Sequence, residues 1–407
     1  MLIRELAQAL ADRGHEVHVV TYPFAESLVP IRGLFVHRAR VPLVRRWPRK
    51  LGWRKVVLDA ALCVLLYRVV RRERIEVMHA HNYEGPLVAL LVRWLTGVPI
   101  VYHSHNALGD ELAYYFRAGV RRRVAACVGR MLDRLIPRRA DFSIALTPEL
   151  ARLLRACGVA ANRLAVVSPG ALAAAFPEAG TPDPFEGRFV VMYTGNVDPY
   201  QDLGVLFEAF ATFSKGVDAA LLVVVTHDPE WSAYVDARLH ELIRDGRARV
   251  VVASAFAVVR RLLGRAEVLV CPRSSWSGFP IKLANYMAAG KAVVVADGSA
   301  KTVVDGQTGL TFANGDTAAL AAALSHLWHD PPLRHRLGEG ARGAIGRLYS
   351  WKRAVSRIEQ IYAQVAQPVS DSRDLATGTA RRLAGIDSVG LRSYKPRGQQ
   401  AAGQGCE

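Results

Sequence analysis

A lysine in the first turn of a short predicted helix is the side chain in this sequence best placed for chemistry. Residues 277–291 run Ser-Gly-Phe-Pro-Ile-Lys-Leu-Ala-Asn-Tyr-Met-Ala-Ala-Gly-Lys, followed by Ala-Val-Val-Val-Ala. The pattern predicts a loop, a helix that ends at Gly290 and a buried strand. Unpaired N–H groups and a partial positive charge at such a helix start suit a phosphate. The helix dipole disfavours Lys282 there, so we expect an anion opposite its amine; a solvent-exposed lysine is the alternative.

A glycine turn at the end of another predicted strand offers a second ligand contact. The strand 189–194 is followed by Gly-Asn-Val-Asp-Pro-Tyr-Gln-Asp. Gly195 has no Cβ, so the backbone here can come close to a ligand. Asn196 and Gln201 offer amide groups but no charge. We therefore expect this turn to contact the ligand through hydrogen bonds, while Lys282 supplies the positive charge.

Together the two segments resemble the nucleotide-sugar glycosyltransferases of the GT-B fold, in particular the large retaining family 4, across residues 1–366. Family members usually carry Glu-Gly-Phe-Gly-x-Pro-x-x-Glu-Ala-Met-Ala-x-Gly-x-Pro-Val-Val and Gly-Arg-Leu-x-x-x-Lys-Gly. In this chain the two glutamates fall on Ser277 and Asn285, and the Arg and Lys fall on Asn196 and Gln201. The donor-binding residues that the resemblance implies are Gly195, Asn196, Gln201, Ser277, Gly278, Phe279, Pro280, Ile281 and Asn285.

Histidines stand at the ends of two predicted strands in the first half, in His79-Ala-His81-Asn and His103-Ser-His105-Asn106. Ligands of open α/β sheets bind outside the carboxyl ends of the strands. The resemblance matches His105 with a family histidine near the reacting sugar. We therefore expect His105, like Lys282, to be a catalytic residue. His81, His103 and Asn106 are predicted to lie on the acceptor side. Four clustered imidazoles are able to bind a metal, but no carboxylate or Cys completes the set, so we expect no metal site.

Strands and helices alternate along the chain, which predicts an α/β protein with doubly wound parallel sheets. The pattern restarts after a Pro- and Ala-rich stretch at 168–185, which predicts two domains. The resemblance implies that these are the two Rossmann-like domains of the GT-B fold, which face each other across a cleft. The predicted divisions are the acceptor-side domain 1–170, the linker 171–187, the nucleotide-sugar-binding domain 188–349, a helix 350–366 that crosses back, and a polar, Gly-rich tail 367–407 that we expect to be disordered.

The first domain lacks its expected opening. A doubly wound domain of this type opens with a strand and a Gly-rich turn, whereas this sequence starts in a helix at Met1-Leu2-Ile3. We expect the strand to be encoded upstream of a start codon that was placed too late. A degraded protein is the alternative.

The formal net charge of +17 is the unusual global property of the sequence. A basic segment, 38–55, carries Trp47 and Trp53 and suits the anionic face of a membrane; solubility supplied by arginine is the alternative. Nucleic acid binding would rest on charge alone, so we do not expect it.

The apolar run 56–70 is too short and too broken to span a bilayer. Five scattered cysteines without a Cys-x-x-Cys spacing indicate reduced thiols. We expect a cytoplasmic protein, located at the inner face of the cell membrane.

Residues and resemblance together predict a hexosyltransferase-like enzyme. It moves a sugar from a nucleoside-diphosphate sugar to a hydroxyl of a cell-envelope or lipid-linked glycan, with retention of configuration and without a cofactor. Because the cations at positions 196 and 201 are lost, a non-catalytic GT-B protein that binds a nucleotide sugar is one alternative. A nucleotide-sugar 2-epimerase is the other. Hydrolysis of a labelled donor distinguishes the enzyme from the binding protein.

Overall fold

The computed structural model divides the chain into two compact units. It describes residues 2–23, 32–41, 53–109, 112, 116, 119–170, 184, 185, 187–233, 235–253, 255–274, 278–366, 384–386 and 389–393. The first unit comprises Met1–Leu108, Arg130–Val167 and Val355–Glu407, and the second comprises Gly109–Gly129 and Ser168–Ala354. The chain returns to the first unit at Val355. Residues 109–129, predicted for the first domain, group with the second unit.

The first half of the chain alternates helices and strands. Its elements are α1 (Leu2–Ala11), β1 (His15–Thr21), β2 (Leu34–Arg38), α2 (Trp53–Arg72), β3 (Val77–His81), α3 (Glu84–Thr96), β4 (Ile100–Ser104), α4 (Val120–Arg139), β5 (Phe142–Ala145), α5 (Pro148–Ala156) and β6 (Leu164–Val166). β3, β4 and β5 are buried along their whole length. Strands buried on both faces need helices on both sides, which the alternation supplies.

The sheet of the first unit has the order β2-β1-β13-β14-β3-β4-β5-β6, in which β13 (Ala384–Ile386) and β14 (Val389–Ser393) come from the end of the chain. β13 lies parallel to β1 and β3, and β14 lies antiparallel to both. The expected disordered tail therefore contains two strands in these positions. β13 and β14 are antiparallel to each other. The remaining neighbours are parallel, and His81 on β3 stands opposite His103 on β4. This register places the histidines of the two strands side by side.

The second unit holds a fully parallel sheet with the order β12-β11-β10-β7-β8-β9. Its elements, together with the last helix of the chain, are β7 (Phe189–Thr194), α6 (Leu203–Phe213), β8 (Ala220–Thr226), α7 (Ala237–Arg244), β9 (Ala248–Val252), α8 (Phe256–Leu263), β10 (Val268–Cys271), α9 (Ile281–Ala288), β11 (Ala292–Ala296), β12 (Leu310–Phe312), α10 (Thr317–His329), α11 (Pro331–Leu348) and α12 (Trp351–Ala366). The predicted α/β architecture with two Rossmann-like sheets is confirmed.

The core of the second unit holds the elements of the site in place. Val191 on β7 and Leu222 on β8 pack with Leu206, Phe207 and Phe210 of α6 in one buried cluster. Side chains of this size each contribute about 1.5–3 kcal/mol when they are fully buried. The carboxyl ends of β7 and β10, and the start of α9, are thereby fixed at one edge of the sheet.

Candidate active site

Lys282 reaches from the first turn of α9 to the end of β7. Its Nζ donates hydrogen bonds to the hydroxyl of Tyr193 at 2.6 Å and to Oε1 of Gln201 at 2.7 Å. An ammonium group has three N–H donors. Within the described part of the chain, the third has no hydrogen-bond partner. Lys282 is only partly buried, so the amine is held by two contacts and keeps one donor for a ligand.

The turn after β7 is an amide network centred on Asn196. Nε2 of Gln201 donates to Oδ1 of Asn196 at 2.7 Å, and Nδ2 of Asn196 donates to the hydroxyl of Tyr200 at 2.8 Å and to the carboxylate of Asp198. The hydroxyl of Tyr193 donates to the carbonyl oxygen of Asn196 at 2.6 Å. The structure thus brings the predicted residues Asn196 and Gln201 together with Lys282, whose amine contacts Gln201 directly.

The backbone at Gly195 lies close to the amine of Lys282. Its φ is +137°, which side-chain-bearing residues rarely adopt, and a Cβ built on it would lie 2.8 Å from Nζ of Lys282. The backbone N–H of Gly195 bonds the carbonyl of Val225 on β8 at 2.9 Å. The absence of a side chain at this position therefore makes room for the lysine.

Tyr286 links α9 to the end of β7 through hydrogen bonds. Its hydroxyl accepts from the backbone N–H of Thr194 at 2.7 Å and lies 3.2 Å from Oγ1 of the same residue. Burial raises the pKa of Tyr286, so the hydroxyl keeps its proton. Asn285 is buried on the helix beside it and lies three residues from Lys282, on the same helix face.

The loop that leads into α9 is fixed by an aromatic contact. The rings of Phe279 and Tyr349 stack with centroids 5.2 Å apart. Gly278 has a φ of +77°, and Pro280 immediately precedes the helix, which begins at Ile281. The predicted donor-binding residue Ser277 lies outside the described residues. The loop thus positions the first turn of α9 at the site, as expected from its Gly and Pro residues.

Sequence analysis did not find a second cation, Arg273, in the loop after β10. Its guanidinium carbon lies 5.3 Å from the centroid of the Tyr200 ring. The same loop is tied to the turn after β7, because the carboxylate of Asp202 accepts from the backbone N–H of Ser274 at 2.8 Å and from its hydroxyl at 2.5 Å. Two basic side chains, Lys282 and Arg273, therefore stand around the turn after β7. No local motif marks an isolated arginine after a strand.

The environment of Lys282 makes its amine easier to deprotonate than that of an ordinary lysine. Burial lowers the pKa of Lys282 from 10.5 to about 7, and the charge of Arg273 lowers it as well, whereas Cys271 and Asp198 raise it. Burial raises the pKa of Asp198. A phosphate next to the amine would restore its proton, because an opposite charge nearby favours the charged form.

This pKa predicts a pH dependence with a definite sign. The cationic fraction of Lys282 falls as the pH rises above about 7, so the affinity for a nucleoside-diphosphate sugar should fall at least about tenfold between pH 7 and 9. The folded-state pKa lies below the ordinary value, so the free energy of unfolding of the ligand-free protein should rise with pH over this interval, by up to about 1.4 kcal/mol per pH unit. Calorimetric titration and denaturant unfolding measure the two trends. Lys282→Met is the control and should remove both; if both slopes persist in it, another group titrates.

The histidines at the ends of β3 and β4 form one cluster in the first unit. Nε2 of His79 lies 3.0 Å from Nδ1 of His103, and Nδ1 of His81 lies 3.0 Å from Nε2 of His105. Nδ1 of His79 contacts the hydroxyl of Tyr362 on α12 at 2.5 Å. The structure thus brings together the four histidines named from the sequence and adds Tyr362. Tyr362 was missed because it lies more than 250 residues away along the chain.

Burial keeps these imidazoles neutral. It lowers the pKa of His79 to about 3 and that of His105 to about 4, and it lowers the pKa values of His81 and His103 well below the ordinary one. His81 and His103 are enclosed, whereas His105 and Asn106 are partly exposed. Of the four predicted site residues in the first unit, the catalytic candidate His105 and the acceptor-side candidate Asn106 are therefore the accessible ones.

Two family models match the chain and together span both halves. A glycosyl transferase 4-like domain matches residues 2–170, and a glycosyl transferases group 1 domain matches residues 188–330. The fold and these two matches show that the protein is an enzyme, a glycosyltransferase of the GT-B type. The chain belongs to the glycosyltransferases of family 4 (group 1) type.

Relatives and solved structures agree with this assignment. The D-inositol 3-phosphate glycosyltransferase of Thermomonospora curvata is 27% identical over 398 residues, which cover 90% of each protein. The sucrose-phosphate synthase of Thermosynechococcus elongatus superposes with a TM-score of 0.74 at 20% identity, covering 89% of this chain and 92% of the other. Anabaena Alr3699/HepE, solved with UDP and glucose, gives a TM-score of 0.69 at 16% identity, with 89% and 95% covered. The two structures share the fold of this chain.

Proposed function

We propose that this enzyme transfers a sugar from a nucleoside-diphosphate sugar to a hydroxyl of a cell-envelope or lipid-linked glycan, with retention of the anomeric configuration. The second unit would bind the donor, and residues of the first unit would serve the acceptor. The family assignment supports the reaction class. The complex of Anabaena Alr3699/HepE with UDP and glucose makes a uridine nucleotide the first donor to test.

The observation that carries this proposal is the placement of Lys282. Negative charge builds up on the leaving diphosphate as the glycosidic bond breaks, so a cation held in place beforehand stabilises the transition state. Tyr193 and Gln201 fix the amine at 2.6 and 2.7 Å, and its third donor remains for a phosphate oxygen. Lys282, with Arg273 nearby, takes over the role that Asn196 and Gln201 cannot fill. Asn285 and the backbone at Gly195 and at the start of α9 contribute hydrogen bonds to the nucleoside and phosphates.

His105 is our candidate for the acceptor side. Its Nε2 is engaged by His81 at 3.0 Å, whereas its Nδ1 has no hydrogen-bond partner among the described residues. The side chain is neutral at pH 7 because burial lowers its pKa to about 4. A neutral imidazole donates at one nitrogen and accepts at the other. It can therefore orient a hydroxyl of the acceptor or of the donor sugar, with Asn106 beside it.

A lipid-linked acceptor would be met at an anionic membrane surface, and we propose a cytoplasmic location at the inner face of the membrane. In the described part of the basic segment, Trp53 is 62% exposed at the start of α2, followed by Val56 at 68%. Lys55 is paired with Asp59 at 3.0 Å and Glu84 at 3.2 Å, so Arg54 is the better candidate for a lipid contact. Trp47 and residues 42–52 lie outside the described residues. No described helix has both the length and the apolar character needed to cross a bilayer.

We expect the protein to sediment with vesicles that contain anionic lipid and to remain in solution with neutral vesicles. Each basic side chain near such a surface contributes about 1 kcal/mol, so Arg54→Glu combined with Trp53→Ser should lower the bound fraction severalfold. Lys215→Glu, an exposed change in the second unit, is the control and should have little effect. Equal sedimentation with both vesicle types at low salt would contradict the membrane proposal.

A thermal-shift screen tests the donor proposal. UDP-, GDP- and ADP-sugars are added at equal concentration, because a ligand that binds only the folded state raises the unfolding midpoint. One nucleotide series should raise the midpoint of the parent and fail to do so with Lys282→Ala. No shift with any of the three series would count against nucleotide-sugar binding.

A further inference from the structure

The buried histidine cluster has the composition of a metal site. His79 and His81 on β3 and His103 on β4 each offer a nitrogen, and the three nitrogens lie within 4.8 Å of one another. Residue exposures of 1–3% show that these side chains are enclosed. We propose that His79, His81 and His103 form a binding site for a divalent cation of the zinc class. This site is independent of the donor site in the second unit.

Two of the three histidines have an enclosed nitrogen without a partner. Nε2 of His81 and Nε2 of His103 are both buried, and neither makes a hydrogen bond within the described part of the chain. An enclosed polar atom without a partner costs about 1–3 kcal/mol. A neutral imidazole nitrogen can instead give its lone pair to a metal. A cation between the two strands would therefore satisfy both atoms at once.

The opposite nitrogens of the cluster are held as metal-binding histidines usually are. Nδ1 of His81 contacts Nε2 of His105 at 3.0 Å, and Nδ1 of His79 contacts the hydroxyl of Tyr362 at 2.5 Å. Such outer contacts fix the ring orientation and the tautomer of a ligating histidine. The remaining contact, between Nε2 of His79 and Nδ1 of His103 at 3.0 Å, is the one that the metal would replace.

The donor set selects the kind of metal. Three imidazoles suit zinc, with a water molecule as the fourth ligand of the metal, whereas magnesium and calcium require oxygen ligands. Zinc–nitrogen bonds of about 2.0–2.1 Å place the ligating nitrogens about 3.3 Å apart in a tetrahedron. The rings would therefore move inward by about 1 Å, which small side-chain rotations allow.

Metal binding would also fix the tautomer of His105. If His81 binds the metal through Nε2, its Nδ1 carries the proton and donates to Nε2 of His105. His105 then carries its own proton on Nδ1, the nitrogen without a partner in the described structure. The metal would in this way prepare His105 as a hydrogen-bond donor without contacting substrate.

Metal titration of the full-length chain without a histidine tag tests the site. Protein stripped with a chelator is titrated with Zn²⁺ against a chelating indicator and with Co²⁺, whose visible spectrum reports the coordination geometry. We expect one equivalent of Zn²⁺, a tetrahedral Co²⁺ spectrum and a Zn²⁺-dependent rise in the unfolding midpoint. His81→Gln and His103→Gln should each lose the bound equivalent, and His105→Gln should weaken it about 10- to 100-fold.

His329→Gln is the matched control, because this histidine is exposed on α10 and contacts only its own helix, at the carbonyl of Ser325. It should bind Zn²⁺ as the parent does. A parent that takes up no Zn²⁺ at micromolar free metal, or that shows only an octahedral Co²⁺ spectrum, overturns the proposal. Unchanged binding in folded His81→Gln and His103→Gln overturns it too. If one variant fails to fold, the other variant and the Co²⁺ spectrum of the parent decide.

Discussion

Replacing Lys282 with alanine should lower turnover roughly a hundredfold and weaken nucleoside-diphosphate binding, with the fold intact. Removal of one charged contact to a transition state costs about 3 kcal/mol, which corresponds to that factor. The two contacts of the amine, with Tyr193 and Gln201, leave its third donor for the diphosphate. Steady-state kinetics and calorimetric binding of the nucleoside diphosphate measure the two effects.

Two further variants give this prediction its controls. Lys282→Arg should retain part of the activity, because the charge remains while its geometry changes. Lys215→Ala removes an exposed lysine of the same unit and should behave like the parent. If Lys282→Ala binds and turns over like the parent, the phosphate is held elsewhere.

Adding a single methyl group at Gly195 should displace the lysine and reduce turnover at least tenfold, by a rough estimate, because a 1 Å misplacement can cost about a hundredfold. A Cβ there would lie 2.8 Å from Nζ of Lys282, at a φ of +137°. Gly246→Ala is the matched control: its φ is also positive, at +69°, but its Cβ would meet no atom within 4 Å. It should lose some stability through backbone strain and keep its activity.

A double-mutant cycle separates crowding from strain at Gly195. In a Lys282→Met background, Gly195→Ala should lower turnover by much less than in the parent, because the displaced amine is already gone. Equal losses in the two backgrounds would show that the glycine acts through the backbone alone.

Most of the second unit was predictable, because its strands are continuous apolar runs and its helices have clear ends. The sequence pattern predicts strands at 189–194 and 220–226 and a helix at 203–213, and β7, β8 and α6 have these bounds. The apolar pattern predicts the next helix at 231–244, but α7 starts at Ala237, because Asp236 caps the helix by accepting from the backbone N–H of Arg238 at 2.9 Å. The cap was visible in the sequence but did not outweigh the apolar pattern upstream.

Short and polar elements could not be predicted from the sequence. β6 and β12 have three residues each, too few for a periodic signal. β13 and β14 lie in a polar, Gly-rich stretch, and their pairing partners, β1 and β3, are hundreds of residues away. A strand that depends on distant partners leaves little local pattern.

The site shows the same division between local and distant information. Lys282 was predicted from its misfit with the helix dipole, a local signal. Its partners Tyr193 and Gln201 lie 89 and 81 residues away, so folding alone brings them together. Arg273 had no motif to mark it. The sequence therefore singles out the lysine as a candidate, whereas the fold identifies the side chains that hold it in place.

The initial rate of nucleoside-diphosphate release from a labelled nucleotide sugar, compared between the parent and Lys282→Ala, tests the central claim most directly. The donor that gives the largest thermal shift is incubated with each protein, with and without a lipid-linked glycan fraction, and the products are followed by NMR. The account predicts release by the parent that is faster by about a hundredfold, stimulation by the acceptor fraction, and a first-formed product with the anomeric configuration of the donor. Equal release by both proteins, or conversion of the donor to another sugar nucleotide without transfer, would contradict it.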